Sequence, residues 1–200
     1  MLCSIPPLLK DTTKNDWREI IFNEMFVSDR RRRTEMEEYM KKSKIKTNAL
    51  RMLDRDKIPY EIKTYEYDEE HLSGEHVASQ VDMDAGDIYK TLVLHEDHDY
   101  LVCCIPVLEE IDLKKLAKLS GHKKVEMLHM KDLLGLTGYM RGGCSPVGMK
   151  KKFPTYFDAS IEKDRPIALS AGKRGYQMIV SSKDITTYCD AKIGDVVRNH

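Results

Sequence analysis

The stretch Thr137 to Lys152, T-G-Y-M-R-G-G-C-S-P-V-G-M-K-K-K, constrains this chain more than any other segment. Four glycines and a proline in so short a span rule out a regular helix or a central strand. What remains is a long loop that other elements must hold in place. Gly138, Gly142, Gly143 and Gly148 admit positive φ and close approach of a ligand to main-chain N–H groups, while Pro146 stiffens the turn. Consecutive N–H groups in such a loop can hold a phosphate, a carboxylate or a developing oxyanion. A plain surface loop between two strands would have the same composition.

Two shorter segments add chemistry. The apolar run Ile88 to Leu94 reads as a strand with Ile88, Lys90, Leu92 and Leu94 on one face, so a lysine stands in the row expected to point inward. From Glu61 to Asp112 fifteen acidic residues accompany only two basic ones, Lys63 and Lys90, so Lys90 is not part of a basic surface. It is either a site lysine or an edge-strand lysine that blocks association between sheets. The third segment, Ser170-Ala171-Gly172-Lys173-Arg174-Gly175, lies between the apolar run Ile167 to Leu169 and the alternating Tyr176, Met178 and Val180. A tight turn between strands accounts for it. A serine at a strand end followed by Gly-Lys-Arg-Gly also suits a polar, anionic ligand.

The 200 residues suffice for one domain of about 150 residues plus an appendage. A hydrophobic content of 41% can fill its core. There is no transmembrane run and no signal-peptide pattern, and the five cysteines include no C-x-x-C pair, so reduced thiols and a cytoplasmic location are expected. Zero formal net charge argues against a generic nucleic-acid binder, but the distribution is uneven. Ten basic residues between Leu113 and Lys152 meet only Glu126 and Asp132. Such a region can engage phosphates without reading sequence. Lys114, Lys115 and Lys118 also fit the wet face of a helix whose apolar face is Leu113, Leu116 and Ala117.

Residues 1–45 read as an extension, mobile or partly helical, with a short helix around Trp17 to Phe26 and a solvated or RNA-binding run at Arg30 to Arg33. Residues 46–200 read as one domain. Thr47 is positioned to cap a helix with Ala49, Leu50 and Leu53 inward. Strands are predicted at Tyr60 to Tyr65, Ile88 to His95, Tyr100 to Ile105, Val125 to Leu128, Thr155 to Asp158, Ile167 to Ser170 and Tyr176 to Ser181. Helices are predicted to start near Ser73, Asp112, Lys131 and Ser182, and Asp97-His98-Asp99 is a hairpin turn. The mixed order indicates an α+β fold.

Several chemistries fit poorly. His95 and His98 with Cys103 or Cys104 lack a zinc-ligand spacing and straddle a turn, so no metal is expected. Cys144 is a candidate nucleophile in the loop, with Lys150 near in sequence, but no histidine lies nearby to act as base. Ser145 precedes Pro146 and lacks a G-x-S-x-G setting.

Five blocks occur in order: K-T-L-V at 90 to 93, D-L-K-K at 112 to 115, K-K-V-E-M at 123 to 127, T-G-Y-M-R-G-G-C-S-P-V-G at 137 to 148 and S-A-G-K-R-G at 170 to 175. Together they closely resemble the YbaK/EbsC family of free-standing aminoacyl-tRNA editing proteins, typified by the Cys-tRNA(Pro) deacylase and related to the editing insertion of bacterial prolyl-tRNA synthetases. The resemblance runs from about Lys46 to about Val197. It implies a mixed, mainly antiparallel, curved and barrel-like sheet with peripheral helices. It also implies an enzyme that acts on the 3′ end of aminoacyl-tRNA without a cofactor, with prolyl-tRNA synthetase as a partner and no membrane association.

The implied reaction is cleavage of Cys-tRNA(Pro), with less discriminating cleavage of Cys-tRNA(Cys) included, by attack of the substrate's own thiol on its ester. Lys90, Thr91, Gly142, Gly143 and Ser170 are the catalytic candidates; Tyr65, Ser145, Pro146, Gly148, Lys150, Lys173 and Arg174 are the binding candidates. The chain departs from the family at Ser73, where members commonly carry an aromatic, and at Gln177, where members can carry an acidic residue after K-R-G-x. Two alternatives stay open: a deacylase for another small amino acid, such as Ala-tRNA(Pro), and a non-catalytic tRNA-binding or regulatory protein on the same scaffold.

Overall fold

Turn chemistry and apolar spacing set the ends of most elements. The structure is a computed structural model that describes residues 45–67 and 74–198. The expectations for Trp17 to Phe26, Arg30 to Arg33 and Ser73 lie outside these residues. Helix α1 (Asn48–Arg55) starts where Thr47 Oγ1 accepts the Leu50 N–H at 3.2 Å, and it buries Ala49, Leu50 and Leu53. Strand β1 (Glu61–Thr64) and helix α2 (Gly74–Val81) follow, then a 3₁₀ turn at Ala85–Asp87. Strands β2 (Tyr89–Glu96) and β3 (Asp99–Pro106) form a hairpin whose turn carries Asp97 at φ 50°, a left-handed conformation that Asp tolerates.

Helix α3 (Leu113–Ser120) begins at Asp112, whose Oδ1 accepts the N–H groups of Lys114 and Lys115 at 2.9 and 3.1 Å. After it come β4 (Glu126–Met127), α4 (Met130–Thr137) and a long irregular segment leading to β5 (Thr155–Asp158). A second 3₁₀ turn spans Ala159–Glu162. The chain then runs through β6 (Pro166–Ser170), β7 (Tyr176–Ser181), α5 (Ser182–Cys189) and β8 (Lys192–Gly194).

The strands make two sheets, ordered β1-β7-β6 and β4-β2-β3-β5-β8, linked where Ile88 bridges Ala168. Pairings are antiparallel except β3 with β5 and β5 with β8. The α+β class and the mainly antiparallel pairing agree with the sequence reading, but the sheets stay open and do not close into a barrel. Both faces of the β2–β3 hairpin are covered. Leu94, Leu101, Cys103 and Ile105 pack under Leu116 and Ala117 of α3, whereas Val93 packs on the other side against Tyr139 and Cys144. Full burial of a Leu or Ile stabilises by about 1.5–3 kcal/mol. The hairpin is therefore a firm floor for what lies at its ends.

Candidate functional site

The glycine-rich loop is built around Tyr139. Its ring is buried and its hydroxyl donates to the Val147 carbonyl at 2.7 Å. A Cβ on Gly148, at φ +76°, would lie 2.7 Å from Ala49 N and 2.8 Å from the Tyr139 hydroxyl. A Cβ on Gly172, at φ +87°, would lie 2.9 Å from Tyr139 Cε1. Only glycine fits at either point. Thr47 Oγ1 donates to the Ala171 carbonyl and Asn48 Nδ2 to the Gly148 carbonyl, each at 2.5 Å. The loop, the 170–175 turn and the start of α1 are thus tied together.

Beside this knot lies a cavity of about 250 Å³ that brings together Tyr65, Lys90, Thr91, Gly142 and Ser170. Cys144 and Gln177 join them, with Val77, Ile88 and Val107 as apolar wall. Lys90 Nζ donates to the Val107 carbonyl at 3.0 Å. Burial lowers its pKa below the usual lysine value, against the opposing pull of Glu110 and Glu109. The Thr91 hydroxyl lies 3.7 Å from Cys104 Sγ. Ser170 Oγ accepts the Gly172 N–H at 3.3 Å, and burial raises the Tyr65 pKa. Cys144 is a buried thiol, pushed up to about 12 by desolvation.

Other sequence candidates sit elsewhere. The Gly143 N–H donates to the Met140 carbonyl at 3.0 Å, so this amide holds the loop's turn instead of facing the cavity. Ser145 is fully buried and its Oγ accepts the Val147 N–H at 3.3 Å. Pro146 and Gly148 line a second cavity on the loop's other side. Lys150 Nζ donates to the carbonyls of Leu134 and Gly135 at 3.3 and 3.0 Å, closing the end of α4. Lys173 lies over the Tyr176 ring, with Nζ 5.1 Å from its centroid. Arg174 Nε donates to the Arg141 carbonyl at 2.7 Å, and its guanidinium stacks on the Tyr67 ring at 4.8 Å.

Sequence reasoning did not select Tyr67 or the apolar wall. The Tyr65-x-Tyr67 spacing was the available signal, since alternate residues of an extended segment share a face.

Comparison with known proteins adds independent information. The aminoacyl-tRNA editing domain matches residues 69–188. EbsC of Enterococcus faecalis, named as a candidate Cys-tRNA(Pro)/Cys-tRNA(Cys) deacylase, is 46% identical over 157 residues, covering 78% of this chain and 96% of that protein. Among solved structures, one described as a candidate trans-editing enzyme for prolyl-tRNA synthetase superposes with a TM-score of 0.67 at 18% identity, over 78% of this chain and 99% of that one. The hypothetical protein APE2540 gives a TM-score of 0.69 at 16% identity, over 76% of this chain and all of that one. At those identities the two structures speak for the fold. The domain match and the close relative carry the further step: this chain belongs to the aminoacyl-tRNA editing domain family.

Proposed function

We propose that the protein is a trans-editing deacylase that clears cysteine from mischarged tRNA(Pro), and from tRNA(Cys) as well, using the substrate's own thiol as nucleophile. One observation carries the mechanism: Cys144, the sulfur that lines the cavity, is a buried thiol pushed up to about 12. The protein therefore offers no thiolate there at neutral pH. No histidine lines the cavity among the described residues.

The chemistry needs little beyond positioning. The cysteinyl sulfur attacks its own ester carbonyl carbon, a C–S bond forms and the C–O bond to the terminal ribose breaks. The thiol proton ends on the departing ribose oxygen. The products are free tRNA and a four-membered thiolactone, which water opens to cysteine. Correctly oriented intramolecular attack reaches an effective molarity of about 10⁵ M or more. Lys90 supplies positive charge to the carbonyl or the departing oxygen, the Gly142 backbone lies along the developing oxyanion, and Thr91 and Ser170 orient the ribose and aminoacyl ends.

The exposed Lys114, Lys118, Lys123, Lys131, Lys151 and Lys152 meet the tRNA backbone, and Arg174 with Tyr67 flanks the cavity on the loop side. Prolyl-tRNA synthetase, handing over its mischarged product, is the expected partner. A cytoplasmic setting fits the free, buried thiols of Cys103, Cys104, Cys144 and Cys189, and none of the described helices is long and apolar enough to cross a membrane.

The test is deacylation of purified Cys-tRNA(Pro), Cys-tRNA(Cys), Ala-tRNA(Pro) and Pro-tRNA(Pro), with and without prolyl-tRNA synthetase. Fast release from both cysteinyl-tRNAs and slow release from the others is expected. Preference for the alanyl ester would move the protein to a different editing specificity, and binding without turnover would make it a tRNA-binding protein.

A further inference from the structure

Gln177 is, with Tyr65, Glu66 and Tyr89, one of the polar cavity residues that the proposed chemistry leaves unused. In β7 it stands opposite Ser170 of β6 on one side and Lys63 of β1 on the other, so the three side chains form one row across the three-stranded sheet. The Lys63 end of the row is engaged, because Nζ donates to the Val81 carbonyl at 2.6 Å. Gln177 itself is 7% exposed and lines the cavity, and its Oε1 is buried without a hydrogen-bond partner among the described residues. A buried acceptor left unpaired is uncommon in a native fold and calls for a donor from elsewhere.

The neighbouring group narrows what that donor is. Ser170 Oγ accepts one N–H from Gly172, and a hydroxyl oxygen has a second lone pair. Two neutral acceptors therefore stand side by side at the cavity wall. A thiol or a ribose hydroxyl has one hydrogen to donate and an ester carbonyl has none. An amine has two or three, so it can serve both acceptors at once.

We propose that Gln177 Oε1 and Ser170 Oγ together hold the α-amino group of the aminoacyl ester, so that the cavity selects esters of free amino acids over N-blocked ones. The inference rests on the aminoacyl-ester reading of the cavity and assigns it a subsite. It divides recognition in two: the amine is read by the polar row, whatever the amino acid, and the side chain by the wall of Val77, Ile88 and Val107. A small apolar wall discriminates weakly between similar side chains, whereas a hydrogen-bonding pair rejects a ligand that lacks the matching donor.

The test compares Cys-tRNA(Pro) with N-acetyl-Cys-tRNA(Pro) for the wild type, Gln177→Met and Gln177→Glu. Methionine keeps the volume and removes the acceptor, so the variant should fold at least as well; glutamate restores an acceptor. The wild type should prefer the free amine by about 10-fold or more in kcat/KM. Gln177→Met should lose about 10- to 100-fold on Cys-tRNA(Pro) and little on the acetylated ester, collapsing the preference, while Gln177→Glu retains it.

Equal loss on both esters in Gln177→Met, or no loss on either, would overturn the assignment. So would a Gln177→Glu protein without the preference. A wild type that cleaves both esters equally well keeps the deacylase reading and refutes the amine subsite. A wild type that cleaves neither ester removes the deacylase reading and this inference with it.

Discussion

Two cavities flank the loop that follows α4, and they treat their polar groups in opposite ways. In the second, of about 330 Å³, Arg55 forks onto Asp56 at 2.8 and 2.7 Å and the Tyr188 hydroxyl donates to the same carboxylate at 2.8 Å. The hydrogen bond from Arg55, reinforced by that from Tyr188, pulls Asp56 down to about 2. In the first cavity Lys90 has a neutral carbonyl as its hydrogen-bond acceptor, and Gln177 Oε1 has none among the described residues. Saturated groups stabilise what they are part of and have little left to offer a ligand. Groups held short of saturation cost stability and become useful when a substrate arrives.

The largest expected contrast is Lys90→Ala against Asp56→Asn. We expect the first to lower kcat for Cys-tRNA(Pro) by about 10²–10³-fold while tRNA affinity changes little, since it removes charge from the reacting end. The second should leave kcat within about twofold, because an exposed ion pair contributes little and lies outside the first cavity. Single-turnover rates and filter binding separate the two. A Lys90→Ala enzyme at the wild-type rate would erase the distinction between the cavities. Lys90 also sets a pH limit. Its lowered pKa means the ammonium loses its proton at a lower pH than an ordinary lysine of about 10.4. Activity should therefore fall on the alkaline side below that value, and the limb should vanish in Lys90→Ala.

Next in size is Gly148→Ala, in the second cavity. The added Cβ would meet backbone of Ala49 and the Tyr139 hydroxyl below 3 Å at a positive φ, so a loss of at least about 1–3 kcal/mol in stability is expected. Activity per folded molecule should change much less. Denaturant melts paired with active-site-titrated rates give both quantities. A stable Gly148→Ala protein would show that the Tyr139 knot yields more easily than its contacts indicate.

How far the sequence disclosed this arrangement depends on the residue. Thr155 to Asp158 and Tyr176 to Ser181 match their strands end to end because strong apolar patterns meet polar breakers. Strand β8 was missed, since three residues paired in parallel with β5 leave no alternation to detect. Lys90 was conspicuous as a cation inside an apolar run. Ser145 was unreadable: its burial depends on the loop folding over Tyr139, a contact within the loop that composition does not encode. Gln177 sits in the row opposite to Met178 and Val180, which by alternation reads as a solvent face, yet it forms cavity wall.

The domain boundary offers a smaller test. With the apolar periodicity and the resemblance both beginning near Lys46, deletion of residues 1–35 should leave cooperative unfolding and a deacylation rate within about twofold of the full chain. Loss of cooperative unfolding would move the boundary into the extension and bring it into the comparison as a third region.

The smallest expected effect is the one that decides whose sulfur acts. Cys144 lines the first cavity but is inert for a different reason: it packs with Val93 and Tyr139, and burial alone holds its pKa near 12. A raised pKa keeps the thiol protonated as pH rises toward 12, so activity from pH 6 to 9 should not follow its ionisation. The substrate thiol, with an ordinary value of about 8.5, should instead make the rate rise through that range. Cys144→Ala should then retain most of its activity, whereas replacing cysteine by serine in the aminoacyl ester should slow release severely. Bulk alkylation cannot make this separation because it modifies both sulfurs. Product identity adds a second measurement: rapid-quench mass spectrometry should find thiolactone before free cysteine. An acyl group trapped on Cys144, with an inactive Cys144→Ala protein, would return the nucleophile to the enzyme and make burial of that thiol part of the chemistry.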